Sequence, residues 1–187
     1  GVAFFVDPGG DPQEVLDFLI GAGLTLKAVL LTHGHLDHIV GVRDLVPIVG
    51  GEVYISCGDA DLLRRPPEAM QAALRMRCEG LDDFHEVSEG MTLEIGAFRI
   101  EVMETPGHTP GGVCYLVRDG EESVLVSGDT LFAQSVGRTD LPGGEPSRLD
   151  DSLRRLSKLP DSLLVLPGHG PETTIGKERQ HNPFWPV

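Results

Sequence analysis

Three histidines and one aspartate fall within six residues of the segment THGHLDH (residues 32–38), directly after an apolar run. They form the pattern His-x-His-x-Asp-His through His33, His35, Asp37 and His38. Neutral imidazole and carboxylate groups are ligands for zinc, iron and manganese. In an extended loop, His33 and His35 point the same way and can reach one ion. Asp37 and His38 lie past Leu36, where the chain must turn, so they can face a neighbouring position.

Three further candidate ligands follow apolar runs in turns that contain glycine: His108 in ETPGHTPGG, Asp129 in SGDT and His169 in PGHGPE. Each of them alone would be an ordinary turn or hydrogen-bonding residue. Strand-end loops on one edge of a sheet can converge on one cleft, so the complete set predicts a metal site. Seven ligands are too many for one tetrahedral ion and suit two ions that share a bridging carboxylate. His85 and His181 lack this context and are predicted not to be ligands.

Short β-type runs alternate with helical patterns along the chain. The predicted strands are Val2–Val6, Ala28–Leu31, Glu52–Ile55, Met91–Ile95, Phe98–Met103, Val113–Val117, Ser123–Val126 and Leu163–Leu166. The predicted helices are Asp11–Gly21, with Asp11 as its cap, Ile39–Val46, Asp59–Arg64, Pro67–Glu79 and Arg148–Lys158. Turns at Gly96-Ala97 and Asp119-Gly120 predict two hairpins. This order predicts one α/β domain over residues 1–187, with sheets packed face to face and helices outside.

Composition narrows the class of partner. The 187 residues carry a formal net charge of −14, which disfavours nucleic acid, because proteins that bind it usually have a basic face. No apolar run is long enough to span a bilayer, so no membrane partner is expected. Cys57, Cys78 and Cys114 are far apart and are predicted to be free thiols, which fits a reducing cytoplasm.

The motifs resemble those of the metallo-β-lactamase superfamily of hydrolases. The family motif His-x-His-x-Asp-His is complete in HGHLDH, and the later histidine, aspartate and histidine occur in order as His108, Asp129 and His169. The resemblance runs from VDPGG to PGHGPETT and implies an αββα sandwich with a dinuclear metal site at one edge of the two sheets. Some of the family's opening strands, which precede the DPGG turn, are expected to be missing here.

The resemblance also implies a role for each ligand. It implies a first metal held by His33, His35 and His108, a second held by Asp37, His38 and His169, and a bridge made by Asp129. Asp37 and Asp129 would serve catalysis through a metal-bound hydroxide. The ions would be divalent zinc, or iron or manganese, since this donor set accepts each of them. Aspartate at position 129 argues against zinc β-lactamases with a thiolate there, and histidine at position 35 argues against flavodiiron-type oxygen reductases.

Within the superfamily, SGDTLFAQSVGRTDLPGG is similar to the glyoxalase II group, particularly its short, single-domain bacterial members. This similarity implies a thioesterase that cleaves S-lactoylglutathione-type thioesters by a metal-bridged hydroxide. The expected partner is a small acyl-thioester, such as a glutathione derivative, and the expected assembly is a monomer or a homodimer. Few residues follow His169, so the helical C-terminal domain of longer glyoxalase II enzymes is not expected. Arg138 either grips a carboxylate of an acidic thiol carrier or pairs with Asp140 as scaffold.

Other classes compete with this interpretation. Persulfide dioxygenases share the fold and the GRTD segment, yet use one iron held by two histidines and an aspartate, which here would be His33, His108 and Asp129. The LPGG and PGHGPE segments favour the hydrolase. A non-catalytic metal-binding scaffold is disfavoured because every ligand position is intact, and a nucleic-acid-processing enzyme is disfavoured by the acidic charge.

Overall fold

Parallel strands joined by helices build the first half of the chain. The computed structural model describes residues 1–186, which group into two units, Gly1–Val87 and the residues from Ser88 onward. The first unit contains β1 (Val2–Val6), α1 (Gln13–Ala22), β2 (Thr25–Leu30), α2 (Leu36–Ile39), α3 (Val42–Val49), β3 (Glu52–Ser56), α4 (Ala60–Arg64), α5 (Glu68–Leu74) and β4 (His85–Val87). Its four strands form one parallel sheet in the order β1-β2-β3-β4.

The second unit is built mainly on hairpins. It contains β5 (Thr92–Ile95), β6 (Phe98–Glu104), β7 (Val113–Asp119), β8 (Glu122–Gly128), β9 (Leu131–Phe132), β10 (Ser135–Val136), α6 (Pro146–Leu156), β11 (Leu164–Pro167), β12 (Thr173–Thr174) and α7 (Ile175–His181). Six strands form a sheet in the order β12-β11-β8-β7-β6-β5, and β9 pairs with β10. Both predicted hairpins are confirmed, because β5 pairs with β6 and β7 pairs with β8 in antiparallel register.

Each unit has its own apolar core. In the first unit, Leu16 and Leu19 of α1 and Leu45 of α3 belong to the same buried cluster as Val29 and Val53 of the sheet. In the second unit, one face of α6 belongs to a cluster with residues of β7, β8 and β11. Burial of these aliphatic side chains is the main stabilising contribution available to each unit. Among residues 1–186, no helix combines the length and the apolar character that a bilayer crossing requires.

The direction of the strands places the candidate ligands. In the first unit, the three parallel strands β1, β2 and β3 run to one edge, where Asp7, the segment Thr32–His38 and Asp59 follow them. In the second unit, β8 and β11 are parallel to each other, and β6 runs in the same direction because it is separated from β8 by one antiparallel strand. His108, Asp129 and His169 therefore follow strand ends at one edge of the second sheet.

The prediction of one helix over Ile39–Val46 is wrong. The structure has two shorter helices in this region, α2 and α3. The break lies at Val40 and Gly41, and the Gly41 N–H donates a hydrogen bond to the Pro8 carbonyl (2.8 Å). A Cβ at Gly41 would lie 2.5 Å from the Gly10 oxygen, so the close approach of the two loops requires glycine. The predicted helix Pro67–Glu79 is also shorter and ends at Leu74, because Arg75 adopts a left-handed conformation (φ 55°).

The prediction of Asp11 as the helix cap is wrong, because helix α1 begins at Gln13 and Pro12 is its N-cap. Asp11 lies one residue earlier, and its Oδ1 accepts a hydrogen bond from the Gln13 N–H. Strands β4, β9, β10 and β12 and helix α7 were not predicted. The prediction of one domain over residues 1–187 stays a prediction.

Candidate metal centre

The donor loop, Thr32–His38, carries the histidine-rich motif of the first unit. His33, His35 and His38 are buried, with exposed fractions of 2%, 5% and 2%. The ring of His33 lies 4.8 Å from that of His35 and 4.1 Å from that of His38, measured between centroids. The loop turns into α2 through a hydrogen bond from the His38 N–H to the His35 carbonyl (3.0 Å). The three imidazoles of the donor loop therefore lie close together within this unit.

Asp7 orients two of these imidazoles from the end of β1. Its Oδ2 accepts hydrogen bonds from His38 Nδ1 (2.9 Å) and from the Thr32 hydroxyl (2.6 Å), and its Oδ1 accepts one from the Thr32 N–H (2.8 Å). The Thr32 hydroxyl lies 3.0 Å from His33 Nδ1, whose proton it can accept while its own proton points to Asp7. Because both partners can accept, this network favours the tautomers of His33 and His38 in which Nδ1 carries the proton and Nε2 carries the lone pair that a metal ligand needs.

The position of Asp7 distinguishes an anchor from a ligand. One donor atom from each of Asp7, His33 and His38 lies within 4.8 Å of the others, which is close enough to serve one ion. Both Asp7 oxygens, however, are occupied as acceptors of short hydrogen bonds from Thr32 and His38. We therefore assign Asp7 to the orientation of the ligands, a role in which carboxylates commonly support metal-binding histidines.

Asp59, which follows β3, fixes the donor loop from the other side. Its carboxylate is fully buried, and its Oδ2 accepts a hydrogen bond from the Gly34 N–H (2.9 Å). A Cβ at Gly34 would lie 2.5 Å from the Cβ of Leu62, so glycine is required between the two histidines. The backbone of the loop is thus held by a buried side chain on the neighbouring strand end.

Gly9 in the DPGG turn packs directly against the donor loop. A Cβ at Gly9 would lie 1.6 Å from the Asp37 carbonyl oxygen, whereas a Cβ at Gly10 would meet nothing within 4 Å. We expect Gly9→Ala to displace the Asp37–His38 segment and to lower both the melting temperature and the metal content. Gly10→Ala is the matched control and is expected to behave as the wild type in both measurements. Equal behaviour of the two variants would contradict this account.

The second unit contributes a second donor set. His108 Nε2 lies 3.5 Å from Asp129 Oδ2, and His169 Nε2 lies 3.8 Å from the same oxygen. The side chains of His108 and Asp129 are 5% and 12% exposed, whereas that of His169 is 54% exposed. One carboxylate oxygen therefore faces two imidazole nitrogens, which is the arrangement expected of a carboxylate that serves two ligand sets.

The main chain of Arg138 orients His108. Its carbonyl oxygen accepts a hydrogen bond from His108 Nδ1 (2.7 Å), so His108 Nε2 is the nitrogen left to act as a ligand. The Arg138 guanidinium is turned to Asp140, with Nε and Nη2 at 2.6 and 2.7 Å from the two carboxylate oxygens. This bidentate contact lowers the pKa of Asp140 to about 2. Of the two roles predicted for Arg138, the structure shows the pair with Asp140.

A buried hydroxyl and thiol network lies beneath the Asp129 turn. Thr105 Oγ1 is 2.9 Å from Thr130 Oγ1 and 3.3 Å from Cys114 Sγ, and the Ser127 hydroxyl donates to the Leu131 carbonyl (2.8 Å). Burial raises the pKa of the Cys114 thiol to about 11, so this cysteine is protonated at neutral pH. Cys57, Cys78 and Cys114 are all free, as predicted.

The donor sets of both units fit divalent metal ions. Zinc binds imidazole nitrogen and carboxylate oxygen at about 2.0–2.2 Å, so two donors of one ion are separated by up to about 4 Å. Asp37 Oδ2 and His38 Nε2 are 3.8 Å apart, and the separations at Asp129 are 3.5 and 3.8 Å. These distances exceed the usual upper limit of about 3.2 Å for a good N–H···O hydrogen bond. Distance and donor chemistry therefore favour metal ligation.

The interpretation of the sequence missed the residues that orient the ligands. Asp7 was left out because the glycines of the DPGG turn were interpreted as support for the first helix, and Asp59 was taken only as a helix start. Both aspartates follow a predicted strand in a turn that contains glycine, and this same signal identified Asp129. His85 and His181 are exposed, and neither belongs to either donor set.

A mixed α/β fold with imidazole and carboxylate donors at its strand ends is typical of a metal-dependent enzyme. The chain belongs to the metallo-β-lactamase superfamily, whose family model matches residues 3–169. It is a metal-dependent hydrolase of that superfamily, and the fold binds divalent metals. The predicted superfamily and fold class are thereby confirmed.

Two curated relatives cover nearly the whole chain. The hydroxyacylglutathione hydrolase GloC of Haemophilus influenzae is 36% identical over 97% of this chain and 86% of its own length. The probable metallo-hydrolase YqgX of Bacillus subtilis is 37% identical over 95% of this chain and 84% of its own.

Solved structures of similar proteins share the fold. TTHA1623, crystallised in a di-iron-bound form, is 39% identical with a TM-score of 0.86, and the match covers 96% of this chain and 87% of TTHA1623. The B3 metallo-β-lactamase BLEG-1 is 38% identical with a TM-score of 0.90, and the match covers 98% of this chain and 88% of BLEG-1. ETHE1 from Myxococcus xanthus is 32% identical with a TM-score of 0.76, and the match covers 97% of this chain and 73% of ETHE1.

Proposed function

We propose that this chain is a thioesterase that hydrolyses S-lactoylglutathione-type thioesters. The observation that carries the proposal is the orientation of three imidazoles: His33, His38 and His108 each have Nδ1 directed to a protein oxygen. Such fixed imidazoles are what a hydrolytic metal site requires. The thioester specificity is supported by the 36% identity to GloC, which extends over 97% of this chain.

The proposal assigns the ligands as the family motif implies. The first ion would be held by His33, His35 and His108, the second by Asp37, His38 and His169, and Asp129 would bridge them. The ions would be zinc, or iron or manganese, and the di-iron form of TTHA1623 supports a site for two ions. When bound, such ions supply Lewis acidity to a carbonyl oxygen and lower the pKa of a bound water.

The protein's own residues supply orientation. Asp7 holds His38 and, through Thr32, His33, so that the Nε2 atoms keep their direction throughout a reaction cycle. The Arg138 carbonyl does the same for His108. A thiolate is a stable leaving group near neutral pH, because thiol pKa values lie at about 8.5. The reaction therefore needs no side chain dedicated to protonating the leaving group.

Arg138 is proposed to contact the substrate as well. Its side chain is 61% exposed and its partner Asp140 is 68% exposed, so solvent screens the ion pair and makes it weak. A carboxylate of the thiol carrier can replace Asp140 on the guanidinium fork with the same bidentate geometry.

The free cysteines support a reducing compartment such as the cytoplasm as the site of action.

The decisive experiment is hydrolysis of S-lactoylglutathione, followed by the loss of thioester absorbance, before and after treatment with a chelator. We expect rapid hydrolysis that the chelator abolishes and that added zinc, iron or manganese restores. No hydrolysis by protein that has been shown to carry metal would overturn the proposal. A β-lactam substrate belongs in the same assay because BLEG-1 is 38% identical.

A mononuclear-iron persulfide dioxygenase is the alternative, supported by the similarity to ETHE1. For that activity, His33, His108 and Asp129 of this chain would suffice to hold the single iron. The hydrolase is favoured because His38 is buried and oriented by Asp7, and because His169 Nε2 lies 3.8 Å from Asp129 Oδ2. Oxygen uptake with glutathione persulfide by protein loaded with iron, without thioester hydrolysis, would establish the alternative.

A further inference from the structure

A polar groove in the first unit adjoins the donor loop but contains none of the proposed ligands. It consists of two neighbouring cavities, of about 530 and 460 Å³, which share Val40, Asp44 and Arg77 in their walls. We call this the Asp44–Arg77 groove. Its volume lies in the range of about 300–1,000 Å³ that small-molecule sites typically occupy.

Asp44 and Arg77 place opposite charges in this groove. Both side chains are exposed, and neither forms a hydrogen bond or an ion pair with another residue of the described chain. Arg43, which also lines the larger cavity, is engaged: it donates to the Gly80 carbonyl (2.6 Å) and lies 3.7 Å from a Glu79 oxygen. The two unengaged charges are therefore Asp44 and Arg77.

The wall of the groove is continuous with the donor loop. The Val40 N–H donates to the Leu36 carbonyl (2.9 Å), so Val40 extends the helix that carries Asp37 and His38. Gly10, which follows Asp7 in the DPGG turn, also lines the smaller cavity. A ligand in the groove thus lies beside the segments that position the metal ligands.

Two further carboxylates line the groove, and both have partners: Glu79 lies 3.7 Å from Arg43, and Asp11 Oδ1 accepts a hydrogen bond from the Gln13 N–H. Burial, followed by the negative charge of Asp44, raises the pKa of the Cys78 thiol, so Cys78 carries no charge at neutral pH. The Gln71 amide also lines the larger cavity, and it is engaged within the protein, since Nε2 donates to the Pro66 carbonyl (2.9 Å) and Oε1 accepts from the Cys78 N–H (3.1 Å). A ligand that bears one anionic and one cationic group on a small polar body matches this arrangement better than a simple anion, which Asp44 would repel.

We propose that the Asp44–Arg77 groove binds the zwitterionic amino-acid end of the thiol carrier, an inference that rests on the proposed thioesterase function for its class of ligand. Arg77 contacts the α-carboxylate, which its planar fork can hold through two hydrogen bonds. Asp44 contacts the α-ammonium group. Glutathione carries both groups on the carbon at its γ-glutamyl end, so a thiol carrier of this kind has the required charges.

The test is calorimetric binding of S-methylglutathione, a thioether that cannot be hydrolysed, to the metal-loaded protein. Arg77→Gln and Asp44→Asn are each expected to weaken binding about tenfold, the usual order for losing one charge-assisted hydrogen bond. Arg75→Gln is the matched control, because Arg75 is exposed two residues away and lines neither cavity. With N-acetylated S-methylglutathione, which lacks the ammonium group, the effect of Asp44→Asn is expected to disappear.

Absence of binding, or equal effects of Arg77→Gln and Arg75→Gln, would overturn the proposal. Melting temperatures of all variants verify that they fold, and Arg77→Lys provides a second variant that keeps the charge but lacks the fork. The measurement does not depend on turnover. Binding with the expected variant effects but no thioester hydrolysis would reject the proposed function alone, and hydrolysis with unchanged binding in the variants would reject the groove alone.

Discussion

Replacing Asp129 by alanine is expected to abolish the proposed thioester hydrolysis and to lower the metal content from the proposed two ions per chain to one or fewer. Asp129 Oδ2 lies 3.5 Å from His108 Nε2 and 3.8 Å from His169 Nε2, so alanine at this position removes the carboxylate that faces both imidazoles. Loss of roughly 4 kcal/mol of transition-state stabilisation corresponds to about a thousandfold in rate. Initial rates on S-lactoylglutathione and elemental analysis of the dialysed variant measure the two effects.

Asp150→Ala provides the control for this experiment. Asp150 also carries a carboxylate in the second unit, but it pairs with Arg154 on the surface of α6 and contacts neither donor set. We expect its activity and metal content to match the wild type, because an exposed pair at this spacing contributes little. If the Asp129 variant kept full activity and both ions, the bridging assignment would be wrong.

Asp7→Asn is expected to weaken metal binding about 10- to 100-fold, which is typical for loss of the partner that orients a metal-binding histidine. Asp7 Oδ2 accepts from both His38 Nδ1 and the Thr32 hydroxyl, whereas an amide NH₂ at that position can only donate. Asp7 has a φ of 52°, a conformation that asparagine tolerates well, so the backbone is expected to stay unchanged. Titration of the metal-free protein against a competing chelator measures the change in affinity.

The matched control is Asp17→Asn, which alters an exposed carboxylate on α1 that only holds the Gln13 side chain. Activity of the Asp7 variant is expected to recover in part at excess metal, because all the ligands remain. Unchanged affinity would contradict the anchoring role of Asp7, and complete loss of activity at saturating metal would indicate that Asp7 does more than orient His38.

Strands that carry their own signal in the sequence were predicted correctly. The runs Phe98–Met103 and Val113–Val117 alternate or continue in apolar character and end at glycine-containing turns, and the structure places β6 and β7 there. Strands β4, β9, β10 and β12 have two or three residues each. Such segments are strands only because a distant partner supplies the hydrogen bonds, and a local pattern cannot show that partner.

Helix α7 was missed for a related reason. Its sequence, IGKERQH, has little apolar periodicity, and its stability depends on tertiary contacts. Glu178 is buried in this helix and accepts hydrogen bonds from the Gln134 N–H, the Thr173 hydroxyl and the Asn182 side chain. None of these partners can be recognised from the helix segment alone. A buried carboxylate contradicts the usual expectation that glutamate faces solvent.

The candidate ligands were predictable because each stands in one recognisable context, a β-run followed by a turn with glycine. Their orientation was not predictable to the same degree. Asp7 and Asp59 share this context, but nothing in the sequence separates an aspartate that binds metal from one that holds a histidine or a backbone amide. The Arg138 carbonyl leaves no trace in the sequence at all, because every residue has one.

That carbonyl has an evolutionary consequence. Because His108 is oriented by the main chain of residue 138, a mutation that changes the side chain at this position leaves the acceptor in place. The guanidinium and its partner Asp140 are exposed, so substituting either residue changes the free energy of unfolding little. The side chain proposed to contact the substrate can therefore change in evolution while the orientation of His108 is kept. The proposed substrate contact and the hydrogen bond to His108 come from different atoms of one residue.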